Sequence, residues 1–231
     1  MKNEKENIVS LQNVSKIYNV NEHITAGVKD ITFAANKGEL ILLLGPSGSG
    51  KTTLLTLIAG LLEPTKGKVV LFNKEINSYS RSALQKLRAE RIGFIFQAFL
   101  LIDALTVVEN IKLVLKFAGK NGKDADSRAA DLLNKFGVDQ LSKKFPSSIS
   151  QGEKQRVAAA RAIANNPDLI LADEPTASLE VSQGLEIIGS LHSYSNKENK
   201  CVIVASHDLR LKEFADRIIY LEDGSMKENF I

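Results

Sequence analysis

Short, continuously apolar runs alternate along this chain with stretches whose apolar residues recur every three or four positions. GELILLLG, centred on Leu40–Leu44, has no polar residue to turn toward water, so it reads as a strand buried on both faces. LILAD (Leu169–Asp173) and CVIVA (Cys201–Ala205) have the same texture. Further strands are expected over Ile8–Val14, Val28–Ala34, KVVLF and RIIYLEDG, with a helix over TLLTLIAGL and a turn at Pro64–Gly67. From about Ser80 to Pro146 the helical period dominates: Ala83–Glu90, Val107–Ala118 and Asp126–Phe136 read as helices, with RIGFIF the one strand-like run and GKNGKDAD a polar loop. After Ser150 helices and strands alternate again. The pattern is α/β with a largely parallel sheet. It predicts one domain over 1–231, whose α/β core (7–80 and 150–231) is interrupted by a mainly helical lobe (81–149).

Composition narrows the classes. A net charge of +3 on 231 residues gives no electrostatic case for a nucleic-acid partner, and none is expected. The single cysteine, Cys201, excludes an internal disulfide framework and fits a reducing compartment. No run approaches the ~18–20 apolar residues of a membrane span, and MKNEKEN reads as a polar tail rather than a leader. The expected location is cytoplasmic, with any membrane role supplied by a partner.

The chemistry starts where the first buried strand ends. Gly45, Pro46, Ser47, Gly48, Ser49, Gly50, Lys51 and Thr52 fit G-x-x-x-x-G-K-[ST], flanked by a strand and a helix as a phosphate cradle requires. Glycines let successive N–H groups face phosphate oxygens, and the following helix adds its positive end. Lys51 is placed to bridge β- and γ-phosphates, the Thr52 hydroxyl to hold Mg²⁺, and Thr53 to reach the α-phosphate. LILAD carries a second polar group to the same kind of strand end. There Asp173 is a candidate Mg²⁺ ligand and Glu174 a candidate base for the attacking water. ATP and Mg²⁺ are the implied ligands.

Between these halves lies Ser150-Gln151-Gly152-Glu153-Lys154-Gln155-Arg156, and beyond them DEPTASLE and ASHD. In this order the motifs resemble the ATPases of ABC transporters along nearly the whole chain. That resemblance implies a P-loop NTPase core with an N-terminal antiparallel β portion and an inserted helical subdomain. It also implies a head-to-tail homodimer around two ATP molecules, with the signature Ser150, Gln151, Gly152 and Glu153 acting in trans and its Ser150 and Gly152 contacting the partner's γ-phosphate. Ser150 and Glu153 equally form an S-x-x-E capping box, although capping alone gives no reason for Gly152. By the same resemblance Gln97 reaches Mg²⁺ or the lytic water, His207 the γ-phosphate, and Ser178-Leu179-Glu180 the dimer interface. Tyr18 matches the aromatic residue that stacks on adenine, with packing of a strand tyrosine on the core as the rival reading.

Two positions depart from the family pattern. The usual L-S-G-G-Q reads Ile149-Ser150-Gln151-Gly152-Glu153, which keeps the serine and second glycine. Glu180 stands where Asp is usual, one methylene longer. LRAERIGFIFQ, LTVVENI and SQGEKQRVAAARA look most like ATPases of lipoprotein-releasing and macrolide-exporting systems, which implies an integral membrane permease subunit as partner. The alternative is a regulatory ATPase acting on a membrane-bound partner, as in cell division, without transport.

Overall fold

The computed structural model describes residues 6–20, 23–177 and 179–228. In chain order the first elements are β1 (Asn7–Val20), β2 (His23–Asn36), β3 (Leu40–Leu44), α1 (Lys51–Ile58), β4 (Lys66–Leu71) and β5 (Lys74–Glu75). Next come α2 (Arg81–Arg91), β6 (Ile92–Ile95), α3 (Val107–Phe117), α4 (Gly122–Lys135) and α5 (Gln151–Ala162). The chain closes with β7 (Leu169–Asp173), α6 (Val181–Glu198), β8 (Cys201–Ser206), β9 (Arg217–Glu222) and β10 (Ser225–Glu228).

Among the described residues the strands form two sheets. An antiparallel sheet has the order β2-β1-β4-β5, and a second sheet has the order β10-β9-β3-β8-β7-β6. In the second sheet only β10 runs antiparallel to its neighbour. β3 therefore lies between strands contributed by the far end of the chain, with Leu42 opposite both Val204 and Ile218.

All five residues of β3 are buried, and their alternation shows why the run has no polar face. Leu40, Leu42 and Leu44 join a core with Val157, Ala160, Ile187 and Ile188 of the helices on one side. Ile41 and Leu43 join a second core on the other side, with Leu54 and Leu57 of α1 and Ile8, Leu11 and Val69 of the antiparallel sheet. Each such Leu or Ile contributes about 1.5–3 kcal/mol by leaving water.

Several sequence expectations need correction. β1 and β2 extend well beyond Ile8–Val14 and Val28–Ala34. Irregular register at Leu11–Val14 and left-handed backbone at Asn13 (φ 52°) and Asp30 (φ 50°) break the alternation that would have revealed their length. The expected loop GKNGKDAD is largely the first turn and a half of α4, which starts at Gly122. Its buried face, Ala125, Ala129, Leu132 and Leu133, begins with alanines that a polar surround masks. The turn proposed over Pro64–Gly67 ends sooner, because β4 begins at Lys66. β6 falls inside the stretch 81–149 yet pairs in parallel with β7, so the central sheet draws an edge strand from there. Between β8 and β9 the chain forms a 3₁₀ helix, Leu209–Phe214, rather than an α-helix of the alternating pattern.

Candidate active site

Strand order decides what meets at the carboxyl edge of the central sheet. β8 lies between β3 and β7, pairing Leu44 with Ser206 on one side and Asp173 with Ala205 on the other. The segments leaving these three strands are the Gly45–Gly50 loop, His207 and Glu174, which makes this edge the place for a ligand.

The loop is tightly built. A side chain at Gly45 would overlap the Leu221 carbonyl, and one at Gly50 the Gly27 carbonyl. Gly50 has φ +101° and caps α1 without any side-chain hydrogen bond, which leaves the first-turn amides without a side-chain acceptor, as a helix start that binds an anion requires. Lys51 is buried and folds back through the loop, donating to the carbonyls of Gly45 at 2.7 Å and Pro46 at 3.0 Å. Tyr18 shares a 3.4 Å hydrogen bond with Thr53 Oγ1. Its ring adjoins Gly27, where a Cβ would come within 2.6 Å of it. The rival reading of Tyr18 as a strand residue packed on the fold is thus partly met: the ring has a seat, and the seat adjoins the loop.

The acids sit beside it. Thr52 donates its hydroxyl proton to Asp173 Oδ2 at 2.7 Å, while Asp173 Oδ1 is buried with no hydrogen-bond donor. Burial pushes the Asp173 carboxyl above its ordinary pKa; the Thr52 hydrogen bond opposes this, the Glu174 charge adds to it and Lys51 opposes it. A hydroxyl and a half-satisfied buried carboxylate are a donor set that suits a hard divalent cation such as Mg²⁺.

Glu174 follows directly in left-handed backbone, φ 47°, a conformation uncommon for a non-glycine residue and recurrent at functional sites. Its amide donates to Ala205 O at 2.9 Å. Its carboxylate accepts from Ser206 Oγ at 3.3 Å, lies 3.0 Å from His207 Nδ1 and 3.8 Å from Lys51 Nζ. Three groups, two at the end of β8 and one at the start of α1, therefore aim a buried carboxylate. Ser206 was not foreseen; the signal was available in its position as the last β8 residue, one before His207.

Other expected residues are dispersed. Gln97 is exposed two residues past β6, near the Asp173 end of β7, and makes no hydrogen bond to either acid. Ser150 and Glu153 form the capping box in full: Glu153 accepts from the Ser150 amide at 2.7 Å and hydroxyl at 2.9 Å, and the Glu153 amide donates to Ser150 Oγ at 3.3 Å. None of Ser150, Gln151, Gly152 and Glu153 hydrogen-bonds to the phosphate loop of its own chain. Leu179 adjoins Gly152, at whose Cβ position its Cδ2 would stand 3.2 Å away. Ser178 lies outside the described residues.

Glu180 is the N-cap of α6 and makes no side-chain cap hydrogen bond. Asp is among the best residues there, whereas the longer Glu overshoots the first-turn amides. Glu180→Asp is expected to stabilise the chain by about 0.5–1 kcal/mol, read as a melting temperature about 1–4 °C higher. A lowered melting temperature would reveal another partner for the Glu180 carboxylate.

Comparison with known proteins fits this geometry. The family model for ABC transporters matches residues 28–177. MJ0796 of Methanocaldococcus jannaschii, an uncharacterized ABC transporter ATP-binding protein, is 39% identical over 224 residues, 95% of each chain. HrtA of Staphylococcus haemolyticus, a putative hemin import ATP-binding protein, is 41% identical over 224 residues, 95% of this chain and 99% of that one. A dimeric structure of a post-hydrolysis state of the MJ0796 cassette bound to ADP and Pi superposes with a TM-score of 0.91 at 38% identity, covering 96% of this chain and 98% of that one. The cradle at the end of β3, the acids at the end of β7 and the likeness over nearly the full length place this chain in the ABC transporter family, as one of its ATP-binding domains.

Proposed function

We propose that this chain hydrolyses ATP with Mg²⁺ as the motor subunit of an ABC-type membrane complex. The observation that carries the reading is the Glu174 carboxylate, aimed by Ser206 and His207 beside the lysine of a phosphate cradle. Mg²⁺, when bound, would draw charge from the β- and γ-phosphates, and Thr52 and Asp173 are the residues to hold it, with Gln97 approaching from its loop. Lys51 neutralises phosphate charge, the α1 amides orient the phosphates, Tyr18 receives the adenine, and Glu174 takes a proton from the attacking water. His207 sits on the Glu174 carboxylate, where it can hold that water in line.

The second site half comes from a second copy. Ser150 and Gly152 stand at a helix N-terminus that makes no hydrogen bond to the phosphate loop of its own chain, which suits capture of a γ-phosphate held by a partner chain. A Cβ at Gly152 would meet only the side-chain ends of Gln183 and Leu179, at 3.1 and 3.2 Å, so the monomer can accommodate a substitution. Gly152→Asp is expected to keep ATP binding to the monomer while ATP-dependent dimerisation and turnover fall at least about tenfold, through like-charge repulsion in a closed interface. Gel filtration with ATP, beside an ATPase assay, checks this. Equal loss of monomer binding would mean that the loop acts on its own chain.

The membrane partner is read from the segment after Gln97. Among the described residues no helix is long and apolar enough to cross a membrane. Yet Leu100 is 56% and Ile102 43% exposed beside a cavity of about 300 Å³ between α2, β6, α3 and α5. Phe99 is half-buried, and Leu101 and Val108 pack on the core. An amphipathic helix of a permease would suit such a groove, and this supports a position for the subunit on the cytoplasmic face of the cell membrane. Changing Phe99 and Leu100 together to Asp is expected to abolish co-sedimentation with membranes and partner stimulation, with basal ATPase retained. Both residues have left-handed backbone, φ 59° and 48°, which Asp tolerates better than either, so loss of docking would not reflect backbone strain. Unchanged stimulation in the double variant would return this run to core packing. Export or mechanical work of the lipoprotein-releasing kind is the transport class we favour. Cargo is selected by the partner, and a partner whose pull-down shows no transport function would favour the regulatory alternative.

A further inference from the structure

We infer that Arg161 is a positioning residue that latches the segment 98–102 to α5, so that movement at the nucleotide end of α5 reaches the surface offered to the membrane partner. The inference rests on the reading that ATP closes a dimer over Ser150 and Gly152, and it concerns how that closure is relayed within one chain.

Phe99 and Leu100 are consecutive left-handed residues, although neither is of a type that favours this conformation. The turn aims both their carbonyls at α5. Arg161 Nη1 donates to Leu100 O and Nη2 to Phe99 O, each at 2.6 Å. A planar guanidinium fork spans two adjacent carbonyls in a way that a point-like ammonium does not. Burial pushes the guanidinium pKa down to about 10, so Arg161 remains charged at neutral pH and its bonds stay charge-assisted.

Arg161 stands in the last turn of α5, and Ser150 caps the first. The helix between them is continuous, about 18 Å of rigid rod by its rise per residue. The far end of the segment is pinned separately. Asn110 of α3, 1% exposed, accepts from the Ile102 amide at 2.8 Å and donates to the carbonyls of Ile102 at 3.2 Å and Leu105 at 3.1 Å. Arg161 is thus the side-chain link from the segment to α5, and Asn110 the link to α3. A displacement of α5 pulls Phe99 and Leu100 against the Asn110 anchor at Ile102, which changes the surroundings of Ile102 in the cavity that it lines with Leu100 and Arg161.

A fluorophore sensitive to its surroundings, attached to Ile102→Cys, reads this motion. Cys201 is fully buried with its thiol pushed up by burial, so labelling is confined to position 102. In a Glu174→Gln background, Mg²⁺ and ATP are expected to shift the emission as dimers form on gel filtration. With Arg161→Met added, ATP affinity should stay within about twofold and dimers should still form, while the emission shift falls at least about fivefold. Arg161→Lys, which keeps charge but loses the fork, is expected to show at least a twofold smaller shift and carries the test should the Met variant not fold. An undiminished shift in either variant overturns the latch, as does a dimer of the Arg161 form with no shift at all. Absence of ATP-dependent dimers in every background removes the dimer reading instead, and the inference with it.

Discussion

Glu174→Gln is expected to bind ATP as the unaltered chain does and to lose hydrolysis by on the order of 10²–10⁴-fold, the usual worth of a positioned base. The amide keeps the size of the carboxylate and can still accept from Ser206, so the β7–β8 strand ends should hold their arrangement. What disappears is the negative charge facing His207 and Lys51 and the ability to take a proton from water. Losing an interaction made chiefly in the transition state lowers kcat and leaves ground-state binding alone. Dimers with ATP should accumulate, because the closed state forms and is not cleaved. Single-turnover hydrolysis set beside equilibrium ATP binding is the measurement; near-normal turnover would show that another group activates the water.

Lys51→Ala should fail at the earlier step. The ammonium is buried and held by two loop carbonyls, so it is already in the cradle before any phosphate arrives. Removing it takes away a charge-assisted contact worth about 3 kcal/mol, which corresponds to roughly 100-fold weaker ATP binding. The Gly45 and Pro46 carbonyls also lose their donor, so some loss of loop order is expected. A melting temperature close to that of the unaltered chain would show that the defect is local. Normal ATP affinity in a folded variant would mean that the loop amides alone bind the phosphates.

How far this site could be read in advance depended on how local each signal was. The cradle and the acid pair were legible because strand, turn and side chain all lie within thirteen residues, as in Leu40–Thr52 and Leu169–Glu174. The central sheet was legible for the same reason: a run such as LILLL has no polar face to offer water. The lengths of β1 and β2 were not, since bulges at Asn13 and Asp30 interrupt their period. Nor was the start of α4, whose buried face opens on Ala125. Ser206 and Arg161 escaped for a different reason. Each acts through a contact across 32 or more positions of sequence, Ser206 with Glu174 and Arg161 with the carbonyls of Phe99 and Leu100. Residue type gives no hint of such a partner. The capping box at Ser150 was foreseen and is present; the phosphate contact proposed for the same hydroxyl would need a second chain.

The placement of β3 bears on how the protein must be made. Its two neighbours, β8 and β9, come from the C-terminal end of the chain, so during synthesis LILLL leaves the ribosome long before either pairing edge exists. Until Cys201–Glu222 has emerged, five consecutive Leu and Ile residues carry open backbone donors and acceptors on both edges, the kind of segment that seeds aggregation. The loop that follows, Gly45–Gly50, cannot settle either, since it is braced by the Leu221 carbonyl. Nucleotide binding is therefore among the last properties the nascent chain acquires, and a chain released early carries the cradle's sequence without the cradle.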